Sequence, residues 1–373
     1  MAGARILFTG GGTGGHLYPA LNIAEAARAL EPDTECFFVG SRRGIEARVL
    51  PESGYAHRLL PLEPIRRAQP WRNWRLIWTA PAVVVGVSKA FRSFRPHVVV
   101  GTGGYVSGAA LWWSRLKRIP IVLQEQNAEP GIVTRLMARR AAQVHLGYPE
   151  ARGRLEVGPN TRVVDSGNPV APSRENGEST GFDWPEGRIL LVVGGSQGAR
   201  AINERLLADL SEAAEDAVPD DVSIVWIAGR DHADRVESEA ASLSAAARIR
   251  VVPFIRDLGR QLDRATLALS RAGAMLVAEL CAAGVPSVLV PLPTAAANHQ
   301  VLNARALADA GAAVAHEERD LSTGELWRSC RSLLEDAGRL QTMSSAARSR
   351  ARPTAAAEIA GAVLELARTT DAR

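Results

Sequence analysis

Cysteine is scarce in this chain. Its three cysteines, Cys36, Cys281 and Cys330, are odd in number and far apart among 373 residues. Such spacing suggests neither a disulfide framework nor a zinc site, and it suits a reducing compartment. Long apolar runs are missing as well: none approaches the roughly 20 residues that cross a bilayer. The chain enters the strand-like segment Arg5-Ile6-Leu7-Phe8 almost at once, so no signal peptide is expected. No paired-carboxylate metal motif stands out, and neither a metal ligand set nor a cofactor is expected.

Acid is absent from one long interval. Between Pro64 and Gln124 there is no Asp or Glu, yet ten basic residues occur: Arg66, Arg67, Arg72, Arg75, Lys89, Arg92, Arg95, Arg115, Lys117 and Arg118. The same interval holds five of the eight tryptophans, Trp71, Trp74, Trp78, Trp112 and Trp113. Because the whole chain carries +4, the remainder carries −6. Trp71, Trp74 and Trp78 fall at helical spacing with arginines between them. A basic and aromatic helix face suits an anionic membrane surface. Nucleic acid is the competing anionic partner, and a core helix with snorkelling arginines is the plain alternative. We expect the membrane and no nucleic acid.

What is present is an α/β pattern. Short apolar strands alternate with helices throughout, which implies parallel sheets. The length favours two domains. Each half opens alike: Arg5–Thr9 leads to a glycine loop, Gly10–Gly15, and a helix from about Pro19 to Leu30. Arg188–Val193 leads to a second glycine loop, Gly194–Gly198, and a helix from about Arg200. Ser166–Gly187, rich in Pro, Gly, Ser and charge, reads as the linker. The domains are then residues 1–168 and 188–352, with a last helix after Pro353.

The stretch Thr266–Gln300 is the most informative. A strand, TLAL, meets the turn Ser270–Ala274. A helix follows to Ala283, then Gly284, a strand from Ser287, and a polar loop with Asn298, His299 and Gln300. A glycine before a helix lets a phosphate approach the free N–H groups at its start. Glu279, a turn further on, suits the two hydroxyls of a ribose. An ordinary β-α-β unit with a solvated Glu279 is the other reading. Gly10-x-Gly12-x-x-Gly15 matches the dinucleotide fingerprint, and Arg42-Arg43 after the second strand would allow NADP. Its extra glycines suit a pyrophosphate without a nicotinamide. His16 lies at a helix start, where positive charge is disfavoured, and is a candidate base or a packed cap. Gly101–Gly108 is a third glycine loop after a strand, fit for phosphate or sugar. Gln124-Glu125-Gln126-Asn127 is either a sugar-binding run or a polar loop tip.

Taken in order, these motifs resemble the MurG glycosyltransferases, which make lipid II in bacterial cell-wall synthesis. The matching pieces are GGTGGH at Gly11–His16, GTGGYVSG at Gly101–Gly108, EQN at Glu125–Asn127, GNPV at Gly167–Val170 and GGSQGA at Gly194–Ala199. SRAGA with Glu279 and HQ at His299–Gln300 complete the set. The resemblance implies a GT-B fold, two Rossmann-like domains with parallel sheets facing a central cleft, with the helix 354–373 returning to the first domain. It implies an inverting transfer of GlcNAc from UDP-GlcNAc to the C4 hydroxyl of the MurNAc of lipid I. The enzyme would be peripheral, on the cytoplasmic face of the plasma membrane.

The resemblance also carries site residues. His16 is the first choice for general base and Glu125 the second. Donor-binding residues would be Thr13, Gly14, Gly15, Asn127, Gly195, Ser196, Gln197, Gly198, Ile255, Ala274, Glu279, His299 and Gln300. Acceptor-binding residues would be Gly12, Gly103, Gly104 and Tyr105. Four positions depart from the family pattern: Gln124 for histidine, Ala171 for arginine, Leu276 for threonine and Ala297 for aspartate. They leave room for a different UDP-sugar transfer to lipid, or for a non-catalytic binding protein of the same fold.

Overall fold

Short apolar runs buried on both faces form the strands of two parallel sheets. The computed structural model describes residues 3–64, 69–171, 182–194, 199–213 and 218–371. The chain divides into two units, one made of residues 1–170 and 352–373, the other of residues 171–351.

The first unit begins β1 (Arg5–Thr9), α1 (Gly14–Leu30), β2 (Glu35–Ser41), α2 (Glu46–Glu52), β3 (Ala56–Leu60) and α3 (Trp74–Phe94). It continues with β4 (Val98–Gly101), α4 (Gly104–Lys117), β5 (Ile121–Glu125), α5 (Ile132–Ala138), β6 (Gln143–Leu146) and β7 (Arg162–Val164). The strand order is β3-β2-β1-β4-β5-β6-β7. The order reverses between β1 and β4, and ligands of such sheets bind beyond the carboxyl ends of the strands at that point. Both sheet faces are covered. Phe8, Phe38, Val98 and Val100 face α1 on one side, while Leu7, Val39, Val99 and Leu123 pack with Val87, Leu111 and Met137 on the other.

The second unit contains β8 (Arg188–Val193), α6 (Arg200–Glu212), β9 (Val222–Ile227), α7 (Ala233–Ala240), β10 (Ile249–Val252) and β11 (Leu267–Ser270). Then come α8 (Ala274–Ala283), β12 (Ser287–Leu289), α9 (His299–Asp309), β13 (Ala313–Ala315), α10 (Glu325–Leu334) and α11 (Ala337–Arg350). Its order, β10-β9-β8-β11-β12-β13, repeats the same reversal between β8 and β11. The last helix, α12 (Ala355–Asp371), belongs to the first unit, where Ile359, Val363, Leu364 and Ala367 complete the core beside α1.

Two boundaries differ from the sequence reading. Helix α1 starts at Gly14 rather than near Pro19, so the glycines and His16 lie in its first turn, and Pro19 sits inside the helix. Glycine's weak helix propensity conceals that start, which tertiary contacts hold: the Thr102 hydroxyl donates to the His16 carbonyl at 2.7 Å. Strand β5 runs through Gln124 and Glu125, and all four residues of the QEQN run are buried rather than at a loop tip. Of the expected linker, residues 172–181 lie outside the described residues.

Candidate active site

At the first switch point two glycine loops lie side by side. The loop after β1 leads into α1 and the loop after β4 into α4. Gly103 and Gly104 have φ of +91° and +73°, in the left-handed region that favours glycine. A Cβ on Gly103 would stand 3.1 Å from Nδ1 of His16, and one on Gly12 would stand 2.8 Å from the Tyr105 ring. The residue identities are thus set by close approach. Neither helix has an acid in its first turn, and neither N-cap residue, Thr13 or Gly103, forms a side-chain cap. Free N–H groups at Gly14 and Gly15 and at the start of α4 suit an anion.

His16 sits where the loops meet. Its Nδ1 lies 2.8 Å from Oε1 of Gln126 and 3.1 Å from the Thr102 carbonyl oxygen. Gln126 donates from Nε2 to that same carbonyl at 2.8 Å, to the Gln124 carbonyl at 3.1 Å and to Gln124 Oε1. Gln124 in turn donates to Asn168 Oδ1 at 3.1 Å, and Asn168 donates to the Gln126 carbonyl at 2.9 Å. Glu125 is turned to its own loop. One oxygen accepts the backbone and side-chain N–H of Asn127 at 3.1 and 3.3 Å, and the other accepts the Gly131 N–H at 3.0 Å.

One residue escaped the sequence reading. Glu46, fully buried at the start of α2, lies under the first glycine loop and accepts the Gly12 N–H at 2.9 Å. Its other oxygen has no hydrogen-bond partner among the described residues. The Gly12 amide is therefore taken by Glu46. The only signal in the sequence was an acid soon after the basic end of β2, in Arg42-Arg43-Gly44-Ile45-Glu46.

In the second unit, α8 begins at its N-cap Gly273 and ends at Gly284, φ +70°. No acid lies in its first turn, and Ala274 is buried at its first position. Glu279 is half-buried and makes no hydrogen bond or ion pair with any described residue. Burial pushes its carboxyl up to about 7. The carboxylate lies against Gly259, and Ile255 is buried nearby in the apolar cluster with Leu258 and Leu276. The amide of Gln300 accepts the Leu292 N–H at 2.9 Å, and Nδ1 of His299 lies 2.7 Å from the Ala296 carbonyl oxygen. Arg271 of the SRAGA turn is structural: it is buried, pairs with Glu318 at 2.6 Å and donates to the carbonyls of Val290 and Pro291. Gly195, Ser196, Gln197 and Gly198 lie outside the described residues. At the departures, Leu276 packs into the apolar cluster and Ala297 has φ +52°.

On the first unit, Trp71, Trp74 and Trp78 are exposed by 71%, 56% and 78%, and Trp112 and Leu116 are exposed on α4. The Arg115 guanidinium stacks 4.7 Å from the Trp112 ring centre. Trp113 instead packs partly into the core. Arg66 and Arg67 lie outside the described residues. No described helix is long and apolar enough to cross a membrane.

Two parallel-sheet units of this topology match the GT-B glycosyltransferase fold. The Glycosyltransferase family 28 N-terminal domain matches residues 6–146 and the family 28 C-terminal domain residues 189–359. The chain is 40% identical to the UDP-N-acetylglucosamine–N-acetylmuramyl-(pentapeptide) pyrophosphoryl-undecaprenol N-acetylglucosamine transferase of Moorella thermoacetica, over 97% of this chain and 98% of that one. The transferase of the same name from Salinibacter ruber is also 40% identical, over 97% of each chain. The crystal structure of Acinetobacter baumannii MurG superimposes with a TM-score of 0.74 at 28% identity, covering 97% of this chain and 99% of that one. The chain belongs to this MurG transferase family. With that, the dinucleotide reading of the first glycine loop falls.

Proposed function

We propose that this protein transfers N-acetylglucosamine from UDP-GlcNAc to the C4 hydroxyl of the N-acetylmuramyl sugar of undecaprenyl-linked lipid I, forming lipid II. One observation carries the reading: identity of 40% to transferases named for this reaction spans 97% of the chain, both switch points included. The second unit binds the donor. Glu279 accepts hydrogen bonds from the ribose hydroxyls, and the positive, N-terminal end of α8 faces the diphosphate. The first unit binds the acceptor, whose pyrophosphate lies on the glycine loop at the start of α4, at Gly103 and Gly104.

His16 removes the proton of the acceptor hydroxyl. The hydroxyl oxygen bonds to C1 of GlcNAc as the bond from C1 to the diphosphate breaks, and UDP leaves with the electron pair. Glu125 is the poorer base because both its oxygens already accept N–H groups of its own loop. The exposed tryptophans of α3 and α4 and their basic neighbours hold the first unit against an anionic membrane surface, on the cytoplasmic face.

The test is direct. Purified protein with labelled UDP-GlcNAc and a lipid I analogue yields the labelled disaccharide lipid. Turnover with another UDP-sugar but not UDP-GlcNAc, or no turnover at all, overturns the reading.

A further inference from the structure

We propose that Gln126 is a positioning residue, one that fixes which nitrogen of His16 is basic. The inference rests on His16 as the general base. Two oxygen atoms, Gln126 Oε1 and the Thr102 carbonyl, lie at 2.8 and 3.1 Å from Nδ1. A carbonyl only accepts, so Nδ1 must carry the hydrogen. The proton of the acceptor hydroxyl then has one place to go, Nε2.

The side chain of Gln126 could be turned end for end, which would present its N–H₂ group to the imidazole and demand the opposite tautomer. Its surroundings forbid this. Three oxygens surround Nε2: the carbonyls of Thr102 and Gln124, and Oε1 of Gln124. Turning the amide would set its oxygen against all three and lose the hydrogen bonds that its two N–H groups share among them, in a buried place where each unmet group is costly. Gln124 is oriented in the same sense by Asn168, since its Nε2 donates to Asn168 Oδ1 at 3.1 Å. Asn168 is anchored by donating to the Gln126 carbonyl at 2.9 Å. The donors thus run one way, from His16 to Gln126 to Gln124 to Asn168, and all three amides are buried.

The relay contains no ionisable group beyond His16. It orients the base with neutral amides, where many hydrolases place a carboxylate behind the histidine. Its contribution is therefore orientation and tautomer, and donor binding in the other unit does not depend on it.

The experiment uses the full chain with ¹⁵N-labelled histidine. Two-bond ¹H–¹⁵N spectra above pH 8 report the tautomer of each imidazole. His16 is expected with hydrogen on Nδ1 and a bare Nε2. Gln126→Leu should mix the tautomers and lower kcat at least tenfold, with the KM for UDP-GlcNAc within twofold. The signals of His145, which contacts Ser166 and Gln143 instead, should not move, which shows that the fold is intact. Gln124→His keeps the direction of the relay, since an imidazole can accept from Gln126 and donate to Asn168. It should retain the Nδ1–H tautomer and turnover within threefold.

A His16 with hydrogen on Nε2 in the unmodified protein overturns the proposal. So does Gln126→Leu with tautomer and kcat unchanged. If His16→Ala retains turnover, the base assignment fails instead. The tautomer spectra still decide whether the relay holds the ring.

Discussion

The carboxylate of Glu279 lies against Gly259, whose missing Cβ would stand 3.0 Å from the carboxyl carbon. The glycine leaves room for a charged group that is half-buried and makes no hydrogen bond to any described residue. Such a group is an acceptor waiting for a donor. Hydrogen bonds to charged groups contribute about 1.5–3 kcal/mol, so Glu279→Ala should weaken UDP binding at least tenfold by calorimetry. Unchanged affinity removes Glu279 from the donor site.

The raised carboxyl makes a pH prediction with a definite sign. Burial moves Glu279 from 4.5 up to about 7 in the free protein. Hydroxyl donors favour the charged form, so UDP binding near pH 6–7 should release protons and tighten as pH rises through that range. Calorimetry in buffers of different ionisation enthalpy measures the release. Glu279→Gln should abolish this part of it, leaving only the titration of the UDP phosphate. Folding follows the same linkage. A carboxyl raised in the fold contributes stability below its unfolded value, and that stability is lost as pH rises through about 7. Without ligand, Glu279→Gln should therefore melt higher than the unmodified protein at pH 8 and no higher at pH 5.

His16→Ala should reduce turnover by about 10²–10⁴-fold, the usual worth of a general base, and leave UDP affinity unchanged. A fall of less than threefold would make His16 structural and return Glu125 to first place. Glu125→Gln tests the loop: it keeps the shape but removes the charge that accepts the N–H groups of Asn127 and Gly131.

Ala297 is held at φ +52° before Asn298 at +55°. Left-handed backbone costs an L-residue with a Cβ about 1–2 kcal/mol. Ala297→Gly should relieve this, less glycine's greater entropy when unfolded. The second unit should melt about 2–4 °C higher. An unchanged or lower melting temperature would show that the loop is not strained there.

The membrane reading rests on exposed rings. Trp74→Glu with Trp78→Glu should release the protein from anionic vesicles in sedimentation while UDP binding stays intact. Binding should fall with added salt and with loss of anionic lipid. A gel shift with single-stranded RNA should show little. Equal binding to neutral and anionic vesicles would remove the electrostatic part, and no vesicle binding would remove the surface itself.

The parallel-sheet class and the glycine loops of the first unit are legible because each depends on local pattern, apolar runs and glycines before helices, whereas the strand order depends on pairing between distant segments. Partnership was not legible. Nothing local tells that Gln126 lies under His16, 110 residues away in sequence, or that Glu46 reaches the Gly12 amide. For the QEQN run the sequence leaves a sugar-binding run and a loop tip open, because polar residues seldom end a buried strand. Its side chains are buried because they satisfy one another, Asn168, His16 and the backbone of Thr102 and Gly131. Trp113 misled in the opposite sense. Adjacent to Trp112 in sequence, it points to the other side of α4, partly into the core.

Helix α12 completes the core of the first unit, yet it is made only after all of residues 171–351. At roughly 5–20 residues per second, the ribosome spends on the order of 10–40 s between the two parts of that core. During that time the faces of α1 and of the sheet that will meet Ile359, Val363 and Leu364 remain uncovered. The second unit, contiguous in sequence, has no such wait. The first unit is therefore the half that finishes folding last, and on a nascent chain its unfilled side is apolar.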